Sequence, residues 1–278
     1  MKVIVCGAGT MGSGIAQVIA QKGNKVVIVD KTEDLVSKGI IGINKTLEKI
    51  VAKGKLGLSE KELIMGNITV STSLNIKDAS LVIEAIFENM EAKKEIFKEL
   101  DSSCPADTIF ASNTSSLSIS EMAAVTKRPD RFIGIHFFNP APVMELVEVI
   151  KGANTSEETI NKTRSFIKSI GKTPVEVQES PGFVVNRMLV PMINEAIFIL
   201  MEGVASAEDI DAAMKMGANH PIGPLALADL IGLDVCLFVM ETLYNEFGDD
   251  KYRPCPLLRK MVRAGHLGRK TGKGFFSS

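Results

Sequence analysis

His136 and Glu148 stand on either side of a proline-containing turn in RFIGIHFFNPAPVMELVEVI, residues 131–150. Both are ionisable, and both interrupt apolar runs that read as two strands of a hairpin. Positions 136 and 148 have the same parity, so a register that pairs them sets both side chains on one face. Glu148, flanked on that face by Leu146 and Ile150, is desolvated and needs a partner. A histidine held by a carboxylate at one ring nitrogen presents the other as an oriented base. The chemistry such a pair supports is removal of a hydroxyl proton during alcohol oxidation, with a cofactor carrying the hydride. The residues alone also allow a satisfied core histidine and a solvated edge glutamate.

A second group is Ser112-Asn-Thr-Ser-Ser116, which follows the apolar run 108–112. It falls at the C-terminal end of a strand, where open α/β sheets bind their ligands. Ser115 can hydrogen-bond a reacting oxygen, and Asn113 can orient cofactor or substrate. Ser118 with Glu121 has the spacing of a helix cap, so part of this hydroxyl richness is structural.

The third group is Gly7-Ala-Gly9-Thr10-Met11-Gly12, which follows an apolar strand and opens an apolar helix. Gly-x-Gly-x-x-Gly is a weak signal alone, and this context strengthens it. Gly7 permits the tight turn, Gly9 lets the backbone approach a pyrophosphate, and Gly12 lets helix and strand pack closely. Asp30 closes the second strand, where its carboxylate can bind ribose hydroxyls and repel a 2′-phosphate. NAD is therefore expected, and Lys31 beside it keeps NADP possible.

These residues need a sheet to position them. Strand-like runs at 2–5, 25–30, 67–71, 81–85, 108–112, 131–138, 146–150 and 174–177 alternate with helical patterns. They predict an α/β, Rossmann-type, mostly parallel sheet, with a helical hairpin inserted at 34–65 and leaning out from it. Beyond Ser180-Pro181-Gly182 the strands stop, and 183–203, 206–216, 225–247 and 256–264 follow helical periodicity. The expected division is 1–181, dinucleotide binding, and 182–278, all-helical.

Composition narrows the function further. With 32 Lys plus Arg against 33 Asp plus Glu, no basic stripe points to nucleic acid or an anionic membrane. The four cysteines have neither Cys-x-x-Cys nor zinc-site spacing, so no metal is expected, and they read as reduced thiols in a cytoplasmic protein. The segment 188–201 is too short to span a bilayer.

Taken together, GAGTMGSGIA, SNTSSLSI, HFFNPAPVMELVEV, ESPGFVVNRMLVPMINEA, NHPIGPLALADLIGLD and GRKTGKGFF, in that order, resemble the L-3-hydroxyacyl-CoA dehydrogenase family, most closely its short bacterial branch. The resemblance covers essentially the whole chain. It implies an NAD-dependent enzyme of butyrate or fatty-acid metabolism that interconverts (S)-3-hydroxybutyryl-CoA and acetoacetyl-CoA. On this resemblance His136 matches the general base, Glu148 its orienting partner, Ser115 the hydroxyl on the substrate oxygen, and Asn186 an amide near the acyl carbonyl. Asp30 matches the ribose carboxylate, while Glu88, Lys93 and Asn113 match residues lining the cofactor and active-site cleft. The family's helical domain implies a homodimer. Its helical insert implies a seat for coenzyme A, for which Lys45, Lys49 and Lys53 share one helix face; a solvated lysine face is the alternative. The chain departs from the family in ending Gly274-Phe-Phe-Ser, where an aromatic hydroxyl is common. Two rivals remain at this level: a Rossmann dehydrogenase of hydroxy acids, and a non-catalytic NAD-binding structural or redox-sensing protein of the same fold.

Overall fold

Strands covered by helices on both faces read as continuous apolar runs rather than as alternation. In the computed structural model, which describes residues 2–74 and 77–276, Val3 to Cys6 are accordingly all buried. The strands are β1 (Lys2–Cys6), β2 (Lys25–Val29), β3 (Ile68–Ser71), β4 (Leu81–Glu84), β5 (Ile109–Ser112), β6 (Phe132–Phe137), β7 (Leu146–Lys151) and β8 (Thr173–Gln178). Each lies within one residue of its predicted bounds. Among the described residues they form one sheet ordered β3-β2-β1-β4-β5-β6-β7-β8, parallel except for the β6–β7 hairpin. Chain order reverses between β1 and β4, and the crevice at such a switch point is the natural ligand site of this architecture.

One face of the sheet is covered by α1 (Thr10–Gln21), whose Ile15 and Ile19 meet Val3, Val5 and Ile28 in a single core. The inserted hairpin, α2 (Glu33–Ala52) and α3 (Leu58–Gly66), does not simply lean out as expected. Val36, Ile43, Leu47 and Ile64 join the same core, because α2 carries an apolar stripe at three- and four-residue spacing. Thr32 caps α2, and Gly54, at φ 68°, supplies the left-handed residue after it. On the other face α4 (Met90–Ser103) brings Phe97 against Phe132, ring centroids 4.5 Å apart. The short α5 (Ile119–Ala123) follows the serine-rich turn, and α6 (Glu157–Ser169) connects β7 to β8.

The chain divides into two compact units, Met1–Glu179 and Ser180–Ser278. The second consists of α7 (Val185–Met201), α8 (Ala207–Gly217), α9 (Pro224–Ile231), α10 (Leu233–Phe247) and α11 (Pro256–Arg263) around their own apolar core. The helical pattern predicted over 225–247 is broken at Gly232, where φ is 107° and the helix cannot continue. Buried aspartates tie this unit together. Asp211 accepts the backbone N–H groups of Leu225 and Ala226 at the start of α9, and Asp229 accepts those of Phe275 and Phe276. Among the described residues no helix is long and apolar enough to cross a membrane.

Candidate active site

The β6–β7 hairpin pairs Gly134 with Ile150 and His136 with Glu148, so imidazole and carboxylate emerge side by side on one face. His136 Nδ1 lies 2.8 Å from Glu148 Oε2, and the side chains are only 8% and 1% exposed. A carboxylate this deep is retained because it is paired. The His136 ring also packs on Phe138, centroids 4.4 Å apart, which leaves the imidazole little room to turn. Asn113 holds the end of this strand. Its Oδ1 accepts the N–H of Phe137 at 2.9 Å, while its own N–H donates to the Glu84 carbonyl at 2.7 Å.

The serine-rich turn sits on a second acid. Glu88 accepts the Ser115 N–H at 2.9 Å and the Ser115 hydroxyl at 3.2 Å, and also the Thr114 hydroxyl. The Lys93 ammonium lies 3.3 Å from Glu88 and 2.6 Å from Glu84. Glu84 further accepts the Ser112 hydroxyl and the Ile86 N–H. Lys93 is fully buried, held between these two acids. Glu84 is equally buried, and that burial pushes its carboxyl above the ordinary carboxylate range, against the opposing pull of Lys93 and Ser112. Sequence reasoning missed Glu84. Its signal was an acid ending a wholly apolar strand, which demands a cation elsewhere.

Each glycine of the amino-terminal turn has a separate cause. Gly7 has φ 110°, and a Cβ there would fall 2.5 Å from the Ala85 carbonyl oxygen. A Cβ on Gly12 would meet the Gly7 carbonyl at 1.9 Å. Gly9 has no heavy atom within 4 Å of that position, so it leaves open the space that a bound pyrophosphate would fill. Thr10 and Met11 open α1, which has no side-chain cap and no acid in its first turn, as an anion-binding helix start requires. Asp30 accepts the N–H of Ala8 through one oxygen and that of Lys31 through the other, both at 2.7 Å. It thereby ties the turn to β2, while each oxygen retains a second lone pair for a ribose hydroxyl. These features fit a dinucleotide.

Beside the turn lies a cleft of about 370 Å³, walled by Ala8 to Thr10, by Lys38, Gly42 and Thr46 of α2, and by the 139–142 loop. A larger cavity, about 640 Å³, opens at the N-terminal ends of β4 and β5 and contains none of the residues above. Chemistry and not size selects the smaller one. Lys45 and Lys49 are exposed on α2, and Lys53, also exposed, is its C-terminal cap. Asn186 belongs to the second unit, in the first turn of α7. It follows a turn in which buried Phe183 holds φ 52°, a strained value for a bulky residue. Among the described residues no three His, Cys, Asp or Glu side chains are placed to hold a metal ion.

Residues 2–180 match the family model for the NAD binding domain of 3-hydroxyacyl-CoA dehydrogenase, and residues 182–278 match that for its C-terminal domain. The chain is 56% identical over 277 residues to 3-hydroxybutyryl-CoA dehydrogenase of Clostridioides difficile, covering 99% of each. It is 46% identical to the mitochondrial hydroxyacyl-coenzyme A dehydrogenase of Homo sapiens, covering 99% of this chain and 90% of the relative. Among solved structures, (S)-3-hydroxybutyryl-CoA dehydrogenase PaaH1 from Ralstonia eutropha superimposes with a TM-score of 0.96 at 53% identity, covering 99% of this chain and 98% of the other. The two domain matches follow one another along nearly the whole length, so the chain belongs to the 3-hydroxyacyl-CoA dehydrogenase family.

Proposed function

We propose that this protein is an NAD-dependent oxidoreductase interconverting (S)-3-hydroxybutyryl-CoA and acetoacetyl-CoA. The observation that carries the reading is the 2.8 Å contact between His136 Nδ1 and Glu148 Oε2 at the end of a sheet that also bears the Gly7–Gly12 turn. Glu148 fixes the ring's orientation and tautomer, so proton exchange with the substrate runs through Nε2. In the oxidising direction His136 takes the hydroxyl proton, and Glu148 stabilises the imidazolium that forms. In the reducing direction protonated His136 returns a proton to the ketone oxygen. Bound NAD supplies the hydride acceptor, held by Gly7, Gly9, Thr10, Met11 and Gly12 at the pyrophosphate and by Asp30 at the ribose.

Ser115, fixed at its N–H and its hydroxyl by Glu88, orients the reacting oxygen, and Asn186 supplies a dipole toward the acyl carbonyl. Asn113 positions the strand end that carries His136, while Glu88 and Lys93 support the cofactor side. Lys45, Lys49 and Lys53 meet the phosphates of the coenzyme A nucleotide. The second unit forms a homodimer, which would cover apolar side chains such as Met188, Val204 and Met216, each at least 70% exposed. The protein works in the cytoplasm. Initial rates with acetoacetyl-CoA against NADH and NADPH test the activity. Turnover with NADH is expected, and no oxidation of either cofactor would overturn the function.

A further inference from the structure

Isolated short helices are marginal in water, so α5, with five residues, keeps its place only through what it packs against and what caps it. Its place matters, because the chain enters it from Ser115. Ile119, the first residue of α5, packs on the β6–β7 hairpin at two glycines. A Cβ on Gly134 would come within 2.8 Å of the Ile119 side chain, and one on Gly152 within 3.1 Å. Gly134 and His136 are two positions apart on β6 and therefore share a face, as do their partners Ile150 and Glu148 on β7. The start of α5 thus rests on the face that carries His136 and Glu148.

Apolar contact is non-directional, so by itself it would let a single turn tilt or slide. Hydrogen bonds remove that freedom, and three of them converge on one carboxylate. Glu179 accepts the Ser118 hydroxyl at 2.6 Å, the Ser120 N–H at 3.0 Å and the Ser120 hydroxyl. Ser118 in turn caps α5 by accepting the Glu121 N–H at 3.1 Å, and Ser120 accepts the Ala153 N–H beyond β7 at 2.7 Å. Glu179 has its own anchor, since its N–H donates to the Lys151 carbonyl at 3.0 Å. Ser115 therefore lies on a segment held by an acid on either side, Glu88 at the turn itself and Glu179 at the start of the helix that follows.

We propose that Glu179 is a positioning residue for the reaction: by holding Ser118 and Ser120 it seats the start of α5 on the His136–Glu148 face of the hairpin and so sets Ser115 against His136. The proposal rests on the function argued above. Glu179 acts only through the serine-rich segment, and its loss should be felt as misplacement of Ser115.

The test measures kcat and KM on acetoacetyl-CoA with NADH for wild type, Glu179→Ala and Glu179→Gln, each also in a Ser115→Ala background. Glu179→Ala is expected to lower kcat about tenfold or more, the size found for partners that orient a functional group, with KM for NADH within about twofold of wild type. Glu179→Gln can accept through its amide oxygen and donate to the Ser120 oxygen, so it should keep kcat within about threefold. In the Ser115→Ala background the step from Glu179 to alanine should cost less than about twofold, because the two residues act as one unit. An equal fractional loss with and without Ser115 would make Glu179 a structural residue and overturn the proposal, as would an unchanged kcat in Glu179→Ala. Should Glu179→Ala fail to fold, Ser120→Ala asks the same question more gently: kcat should fall about threefold with Ser115 present and hold without it, and an equal loss in both backgrounds overturns the proposal. A wild-type protein inactive on acetoacetyl-CoA overturns the function and this proposal together.

Discussion

The first unit contains two buried pairs of an acid with a basic side chain within a few strands of each other, and the proposed function puts them to opposite uses. Glu148 and His136 face each other across an antiparallel hairpin. Glu84 and Lys93 lie at the end of β4 and in α4, with both side chains sealed from solvent. Distance does not separate them, since both contacts are short at 2.8 and 2.6 Å. Nor does burial of the acid. The difference lies in the partner: an imidazole has a second nitrogen through which a proton can pass, whereas an ammonium surrounded by carboxylates only holds charge in place. A buried carboxylate therefore marks a catalytic site only when its partner can relay what the carboxylate stabilises.

If the contrast is right, the two pairs should fail in different currencies. The largest effect is expected for His136→Gln, which should lower kcat by about 10²–10⁴-fold, the range for loss of a general acid–base group. NADH binding, followed by fluorescence titration, should stay near wild type. Near-normal turnover would remove His136 as the base. Lys93→Met should act mainly on stability, costing about 3–5 kcal/mol in urea unfolding, because it strands Glu84 without its cation. The double variant Glu84→Gln/Lys93→Met should regain much of that loss, since a buried pair replaced by neutral groups is often tolerated. A double variant no more stable than Lys93→Met would show that the site depends on the pair for more than charge balance.

Glu148→Gln sharpens the same contrast. It keeps the shape and removes the charge that orients and supports His136, so kcat should fall about 10–100-fold, as for other partners that orient a functional histidine. Folding measured by circular dichroism should be retained. An unchanged kcat would reduce the pair to a structural one and erase the distinction from Glu84 and Lys93.

How much of this could be read from the residues follows the same division. The His136–Glu148 pairing was legible only as a conditional: equal parity puts both side chains on one face if the register pairs them, and the residues of the 138–145 connection did not fix that register. The glycine turn and Asp30 were legible because their spacing is imposed by a short strand–turn–helix unit. The full burial of Lys93 was not legible, because the fourth position of an amphipathic helix gives no sign of how deep a lysine reaches. Glu84 was overlooked for a related reason, since its partners Lys93 and Ser112 come from two other elements and only the folded sheet brings them together. The break at Gly232 was lost inside a continuous apolar pattern, whose periodicity resumes on the far side of a residue at φ 107°.

The smallest predicted effect falls on the residue that joins the two pairs. Asn113 donates its backbone N–H to Glu84 and accepts the Phe137 N–H through its side chain, so it spans β4 and β6 at the positions flanking both acids. Asn113→Ala leaves the first bond and deletes the second, stranding a buried donor next to His136. A destabilisation of about 1 kcal/mol is expected, near the net value of one hydrogen bond. If Asn113 does no more than align the strand end, kcat should drop by less than about tenfold, because Glu148 still holds the imidazole through its own contact. A fall as deep as that of Glu148→Gln, at the same small loss of stability, would mean that the backbone of β6 orients the ring as strongly as the carboxylate does. The catalytic pair would then have to be redrawn as a triad.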